Sequence, residues 1–325
     1  MNKDNGDSCF NHSVQCACGT ETYNIITRSV LNLLSKPRFE SCLRARTWFA
    51  RSHPPPNSES TYKSLVLASM RSSFMTTDML QIEKDLLRTY PDEGYFSSVQ
   101  GKGALYRCLS AYSVYESSIG YVQGMNFIMA SLLWHASESD AFWIFVGLME
   151  DYDLRDTYLP KLPGLSKHCQ IIQILSFDFL PEVYRKLAEL SINFEMFAAE
   201  WCFTLFGSVI PVGQMHHFMD NFLTSGWVYF YRFIIVLLEC LEEKLLKAND
   251  FFEALYSLKI SRNSQKEWNQ FISDKRAGVS WEELNKRAFA LEIDEQYISC
   301  LHKCFCLDTA QFTLRAKKNF PVSQG

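Results

Sequence analysis

Asp78-Met79-Leu80-Gln81-Ile82-Glu83-Lys84-Asp85-Leu86-Leu87-Arg88-Thr89-Tyr90-Pro91 carries a helix start, an apolar face and a helix stop in one short run. Asp78 with Gln81 three residues on reads as a capping box, in which the two side chains take orphan N–H groups of the first turn. Met79, Ile82, Leu86 and Leu87 recur at the spacing that lines one face of an α-helix. Pro91 restricts the residue before it and discourages helix beyond Tyr90, so Arg88 is expected in the last turn.

The same helical period continues on both sides. Upstream, Val30, Leu31, Leu33 and Leu34 begin an apolar helix that Pro37 stops, and Leu43 with Trp48 marks a short second one. Pro54-Pro55-Pro56 excludes helix and makes Ser52–Ser58 a loop. Downstream, Leu105, Cys108, Leu109 and Tyr112 line one face of a helix broken by Ser117-Ser118-Ile119-Gly120. Met125, Ile128, Met129 and Leu132 open the next stripe, which places Gln123 at or just before a helix N-terminus. Helices follow at Asp140–Glu150, Pro181–Leu190, Phe194–Phe206, His216–Phe222, Trp227 to about Lys247, Trp281–Leu291 and Asp294–Cys306. No run alternates with period two between turn signals, and no solenoid repeat is visible. The fold class is all-α. Residues 1–21 are polar and read as a loose extension. Leu162-Pro163-Gly164-Leu165 reads as a loop that divides the rest into an N-terminal helical lobe, 22–165, and a C-terminal lobe with a helical tail, 166–325.

A chain of 325 residues with 47% hydrophobic residues and 25 phenylalanines can bury a large core. Its net charge of −4 supplies no basic field for a phosphate backbone, so no nucleic acid is expected as a partner. Gly226–Cys240, the most apolar stretch, is too short for a membrane span and is interrupted by Arg232; no integral membrane segment is expected. Neither terminus carries a signal peptide or a lipidation box. The chain is expected in the cytoplasm.

Eleven cysteines scattered through helical segments read as reduced thiols. Cys9, His12, Cys16 and Cys18 could supply four zinc ligands, but Cys-x-Cys lacks the usual knuckle spacing. Cys300 and Cys304 share a helical face that His302 does not, so with Cys306 they read as a core stripe beside a surface histidine. No metal site and no resident cofactor are expected, and a self-contained metal hydrolase lacks its ligand set.

Asp85 and Arg88, taken alone, are an i, i+3 ion pair worth a few tenths of a kcal/mol. Gln123 alone is an ordinary residue at a helix start. Together they are the two side chains a GTP-hydrolysis site needs, a cation for charge on phosphate oxygens and an amide to orient the attacking water. The chain has no phosphate-binding loop, so the nucleotide would belong to a partner.

Ile82-x-x-Asp85-x-x-Arg88-Thr89-x-Pro91 followed by Gly120-Tyr121-Val122-Gln123-Gly124-Met125-Asn126 resembles the TBC domain of GTPase-activating proteins for Rab-type small GTPases. The likeness extends in order from Leu43 to about Leu246. Leu43-Arg44-Ala45-Arg46-Thr47-Trp48 resembles the family's opening Leu-Arg-Gly-x-x-Trp. Leu162-Pro163-Gly164-Leu165, Glu200-Trp201-x-Phe203-Thr204-Leu205-Phe206 and Asp220-x-Phe222-Leu223-x-x-Gly226-Trp227 resemble later landmarks. Ala45 stands where a glycine is usual, and Met219 where a tryptophan is common.

The resemblance implies a two-lobed helical domain acting by two fingers supplied in trans to a GTP-bound Rab-type GTPase, which carries the GTP and Mg²⁺. Arg88 matches the catalytic arginine, worth about 10³–10⁵ in rate, or roughly 4–7 kcal/mol of barrier. Gln123 matches the glutamine that orients the water. Asp85 matches the motif aspartate that positions Arg88, while Tyr121 and Gly124 match the scaffold of the glutamine loop. A role in vesicle trafficking follows, with transient visits to endomembranes through the partner. The alternative is a catalytically silent module that keeps the fold and binds a GTPase as effector or scaffold. Ile82, Trp201, Phe206 and Trp227 are expected in the core.

Overall fold

The computed structural model describes residues 42–71, 76–258, 268 and 279–307, with side chains described up to 301. The polar extension 1–21, the expected helix at Val30–Leu34 and the Cys9, His12, Cys16 and Cys18 cluster lie outside the described residues. So do the side chains of His302, Cys304 and Cys306.

The described residues are helical, with no strand among them. In chain order they form α1 (Leu43–Arg51), α2 (Ser58–Arg71), α3 (Thr77–Leu86), α4 (Gly94–Ser97), α5 (Val99–Tyr115), α6 (Met125–Leu133), α7 (Glu138–Glu150) and α8 (Arg155–Tyr158). Then come α9 (Pro163–Phe179), α10 (Pro181–Glu189), α11 (Glu195–Thr204), α12 (Met215–Lys247), α13 (Phe251–Leu258), α14 (Trp281–Ala290) and α15 (Glu295–Leu307).

Local sequence explains most of the starts. The hydroxyls of Ser98, Ser137 and Ser280 each accept an N–H of the first turn behind them, and prolines open α9 and α10, where a missing N–H does no harm. Two starts differ from expectation. At α3 the cap is the Thr76 hydroxyl, accepting from Met79 N at 3.2 Å, and Asp78 sits one place inside the helix. At α9 the Leu162-Pro163-Gly164-Leu165 run is a helix start and not a loop. Leu162 turns the chain with a left-handed φ of 53°, and Pro163 begins the helix at once.

Helices α1 to α7 pack on one another around α5, while α9, α10, α13 and α14 pack on the long α12 and α11 packs on α9. The two groups meet where α6 touches α11 and where α1 touches α12. Buried apolar residues form one continuous core from Ala45 to Ile298. Its densest part centres on Phe206, whose ring lies 5.1–5.4 Å from those of Trp201, Phe218, Phe230 and Phe233. Truncating such a buried aromatic costs about 3–5 kcal/mol. Ile82, Trp201 and Phe206 are buried as expected, and Trp227 is partly buried against the same core. Ala45 and Met219, the two departures from the motif pattern, are both fully absorbed in it.

The helical run 212–247, kinked at Gly226, is long and apolar enough by length and composition to cross a membrane, unlike the shorter Gly226–Cys240 stretch. Its place in the fold explains the composition, because 61% of the apolar window is buried against other helices. Gly226, at φ 55° and ψ −142°, breaks the helix into the two pieces expected from sequence, a conformation open to glycine for want of a Cβ. Tyr152 hydroxyl and Arg51 both donate to the Leu223 carbonyl at that break, at 2.7 and 2.9 Å.

The tail is part of the same body. Trp268 and Trp281 both donate to the Gln214 side-chain carbonyl, at 3.1 and 2.9 Å, and Tyr229 donates to Asn285. Among the described cysteines, Cys108, Cys169 and Cys202 are buried thiols, while Cys42 and Cys300 are exposed and none is in a disulfide. Exposure of Cys300 removes it from the expected core stripe, since its side of α15 faces outward.

Candidate functional site

Helix α3 ends at Leu86, and Arg88 lies two residues past that end instead of in the last turn, its N–H bonded to the Asp85 carbonyl at 3.2 Å. A half-exposed guanidinium is the result. Its Nε donates to Asp85 Oδ1 at 2.8 Å, with the arginine side chain 45% exposed and the aspartate 2%.

A buried carboxylate must be satisfied by donors, and Asp85 has more than the arginine. Gln81 Nε2 approaches Oδ1 at 3.3 Å, and the Tyr121 hydroxyl donates to Oδ2 at 2.6 Å. Burial first, then the hydrogen bond and negative charge of Asp85, push the Tyr121 phenol well up, with Arg88 opposing. Tyr121 therefore remains a proton donor at any physiological pH. Its backbone N–H is held in turn by Asp78 Oδ2 at 2.9 Å. The carboxylate expected to cap α3 ties α3 to the glutamine loop instead.

Gln123 is exposed, directly before the cap residue Gly124 of α6. Gly124 has φ 111°, and a Cβ there would come within 2.8 Å of the Phe203 carbonyl oxygen. Both conformation and space exclude a side chain. Asn126, fully buried in the first turn of α6, accepts from Gly124 N–H at 3.1 Å and donates to Thr89 Oγ1 at 2.7 Å. The Thr89 hydroxyl in turn donates to the Asp85 carbonyl at 2.6 Å.

The turn after α11 supports both loops from behind. Tyr90 donates to the Gly207 carbonyl, Tyr158 donates to the Phe203 carbonyl at 2.6 Å, and Gly124 rests on Phe203. That turn is itself unusual, with Leu205 and Phe206 at positive φ of 44° and 64°. Such residues are strained by about 1–3 kcal/mol each unless the surroundings hold them. Here the Phe206 ring is held by the aromatic core.

Arg88, Asp85, Tyr121 and Gly124 are thus brought into one block, and Gln123 projects from the same loop as Tyr121. Asn126, Thr89, Asp78 and Tyr90 belong to it as well, though sequence alone assigned none of them to the site and read Asp78 only as a helix cap. Asn126 had a signal: it is a lone amide in the first turn of an otherwise apolar helix. The others owe their roles to contacts across 37 to 117 residues. A cleft of about 630 Å³ opens elsewhere, between α1 and α12, and none of its lining residues belongs to this block. Among the described residues no cluster of three or more His, Cys, Asp or Glu could hold a metal ion.

The sequence model of the Rab-GTPase-TBC domain matches residues 41–246, from just before α1 to the end of α12. The chain belongs to the Rab-GTPase-TBC domain family. Within this TBC domain lie Arg88, Gln123 and every partner named above. Similar curated proteins include the Rab GTPase-activating protein tbc-11 of Caenorhabditis elegans, 33% identical over 184 residues, which is 55% of this chain and 19% of that protein. TBC1 domain family member 4 of Mus musculus is 31% identical over 218 residues, 66% of this chain and 16% of its own length. The matched stretch is thus about a fifth of the length of these relatives. Among solved structures, the Ypt/Rab-GAP domain of Gyp1p superposes with a TM-score of 0.63 at 18% identity, covering 82% of this chain and 91% of that one. The Chlamydomonas flagellar RabGAP TBC domain gives 0.62 at 22% identity, covering 86% of each chain. Both carry the same all-helical fold.

Proposed function

We propose that this TBC domain accelerates GTP hydrolysis by a GTP-bound Rab-type small GTPase, with Arg88 and Gln123 supplied in trans to a nucleotide and Mg²⁺ that the partner carries. One observation carries the reading. A long cation and a neutral amide project to solvent from two loops that a buried hydrogen-bond network ties into a single block. A site completed by a partner needs such projection and needs no cleft of its own. Arg88 would enter the partner's phosphate pocket and stabilise charge developing on the transferring phosphoryl group. Arg88 would have to leave Asp85 to do so, and the buried carboxylate would then keep the Tyr121 hydroxyl and the Gln81 amide as donors. Gln123 would orient the attacking water, in a loop whose shape Gly124 and Tyr121 set. The domain is then an activator whose chemistry takes place on its partner, working from the cytoplasm on GTPases at endomembranes in vesicle trafficking.

A panel of GTP-loaded Rab-type GTPases, assayed for phosphate release with wild type and Arg88→Ala, tests this reading. At least one should respond to wild type and lose the response to Arg88→Ala. A GTPase stripped of its own catalytic glutamine should still respond to wild type and cease to respond to Gln123→Ala. Binding to GTP-loaded partners without faster phosphate release would favour the silent effector instead.

A further inference from the structure

We propose that Asn126 is the positioning residue that fixes the Arg88 loop and the Gln123 loop relative to each other. This rests on the reading of those two side chains as the catalytic pair and deepens it.

The two loops come from different helix ends, the C-terminus of α3 and the N-terminus of α6. Asn126 is a side chain that bonds both. Its Oδ1 takes the Gly124 N–H, one residue from Gln123, and its Nδ2 donates to Thr89, one residue from Arg88. The orientation of the amide follows from its neighbours. A backbone N–H can only donate, so Oδ1 must face Gly124. The Thr89 proton is committed to the Asp85 carbonyl, so the hydroxyl oxygen can only accept, and Nδ2 must face it. The Tyr121 hydroxyl oxygen lies 3.1 Å from Oδ1, with its proton on Asp85. An amide is the small side chain that accepts on one edge and donates on the other. Aspartate would lose the donor and set a second carboxylate beside that of Asp85, and leucine would lose both bonds. Asn126 is fully buried and cannot reach a partner's nucleotide, so its influence on hydrolysis passes through Arg88 and Gln123.

In this arrangement Asn126 sets geometry and not affinity. Reacting groups displaced by about 1 Å can lose on the order of 100-fold in rate. The test compares wild type, Asn126→Asp, Asn126→Ala, Thr89→Val and Arg88→Ala, using the full chain and whichever Rab-type GTPase of the panel responds most strongly. Maximal stimulated rate and half-saturating concentration are measured separately, with thermal melting as a control for folding. The expected result for Asn126→Asp is a maximal rate lower by about 10- to 100-fold, with half-saturation within about twofold. Adding Asn126→Asp to Arg88→Ala should cause little further loss, because residues acting as a unit are not additive. Should both Asn126 variants fail to fold, Thr89→Val cuts the same link from the other loop and should give the same split.

Wild-type maximal rates in folded Asn126 or Thr89 variants, beside a full loss in Arg88→Ala, would overturn the positioning role and leave the catalytic pair standing. A loss confined to half-saturation, or one that multiplies undiminished in the Arg88→Ala background, would overturn it as well. A hydrolysis rate indifferent to Arg88→Ala would remove the catalytic pair and the positioning role together.

Discussion

Two aspartates in this domain are built alike but set in different surroundings. Asp85 accepts an arginine Nε at 2.8 Å and an aromatic hydroxyl at 2.6 Å; Asp220 accepts the Nε of Arg44 at 2.9 Å and the indole Nε1 of Trp48 at 2.8 Å. Asp85 draws one partner from its own helix end, Arg88 three residues away, and one from the glutamine loop, Tyr121 thirty-six residues away. The partners of Asp220 lie 176 and 172 residues away, so its bonds fasten α12 onto α1. Exposure is distributed differently too. Asp85 is buried under a half-exposed arginine, whereas Asp220 and Arg44 share exposure evenly, at 40% and 41%. On the proposed function, a carboxylate with other buried donors would let its arginine go. A carboxylate whose bonds bridge distant helices acts as a clasp.

The sharpest way to break this comparison is to remove each arginine. Arg88→Ala should lower stimulated GTP hydrolysis by about 10³–10⁵ while leaving the melting temperature within a degree or two. Arg44→Ala should leave the hydrolysis rate per folded molecule within about twofold. Stopped-flow phosphate release and a melting curve measure both effects, and a reversed pattern would abolish the distinction.

A smaller effect is expected at the clasp itself. Asp220→Ala strands the buried Trp48 indole N–H and frees Arg44, and should destabilise the fold by about 1–3 kcal/mol. The urea midpoint reports this, and an unchanged midpoint would mean that the clasp bonds contribute nothing net.

The smallest effect sharpens the comparison through pH. Beside the clasp, the ring of His135 lies 5.5 Å from that of Trp48 and 5.6 Å from that of His216, which neighbours His217. Burial, then the charges of His216 and Arg44, push His135 down to about 4, with Asp220 opposing. His216 and His217 are also lowered, mainly by burial. The folded state therefore binds these protons less well than the unfolded chain, where histidine titrates near 6.5. Their contribution to stability is fully present above that pH and is lost as pH falls toward 4. Urea midpoints measured from pH 7 to 4.5 should decline less steeply in His135→Phe than in wild type. Parallel curves would exclude His135 as a source of the slope.

The all-helical class, the ends of the helices that were recognised and the core aromatics were readable from the chain because they follow from neighbours a few residues apart, whereas α2, α9 and α13 were not read as helices. The three-and-four spacing of Met79, Ile82 and Leu86 and the division of α12 at Gly226 are of this kind. Misreadings arose where a side chain's partner was distant. Asp78 looked like a cap because caps and loop ties use the same carboxylate, and only the approach of Tyr121 decided between them. Leu162-Pro163-Gly164-Leu165 looked like a loop because proline and glycine punctuate loops, yet proline also suits the first position of a helix. Asn126 and Thr89 were quoted within motifs but carried no assigned role, since nothing in a linear chain shows that two loops share a wall.

By itself the sequence determined that this is an all-α chain of the Rab-GTPase-TBC domain family carrying an arginine and a glutamine at two helix ends. Those are properties of residue type and short-range spacing. Only the tertiary structure decided that both side chains project from one block, that Asp85 is buried beneath Arg88 while Asp220 and Arg44 are both part-exposed, and that Trp281, Leu284, Ala288, Ile293 and Ile298 of the tail belong to the core. Each of these depends on which distant groups meet, and packing of the whole chain sets that.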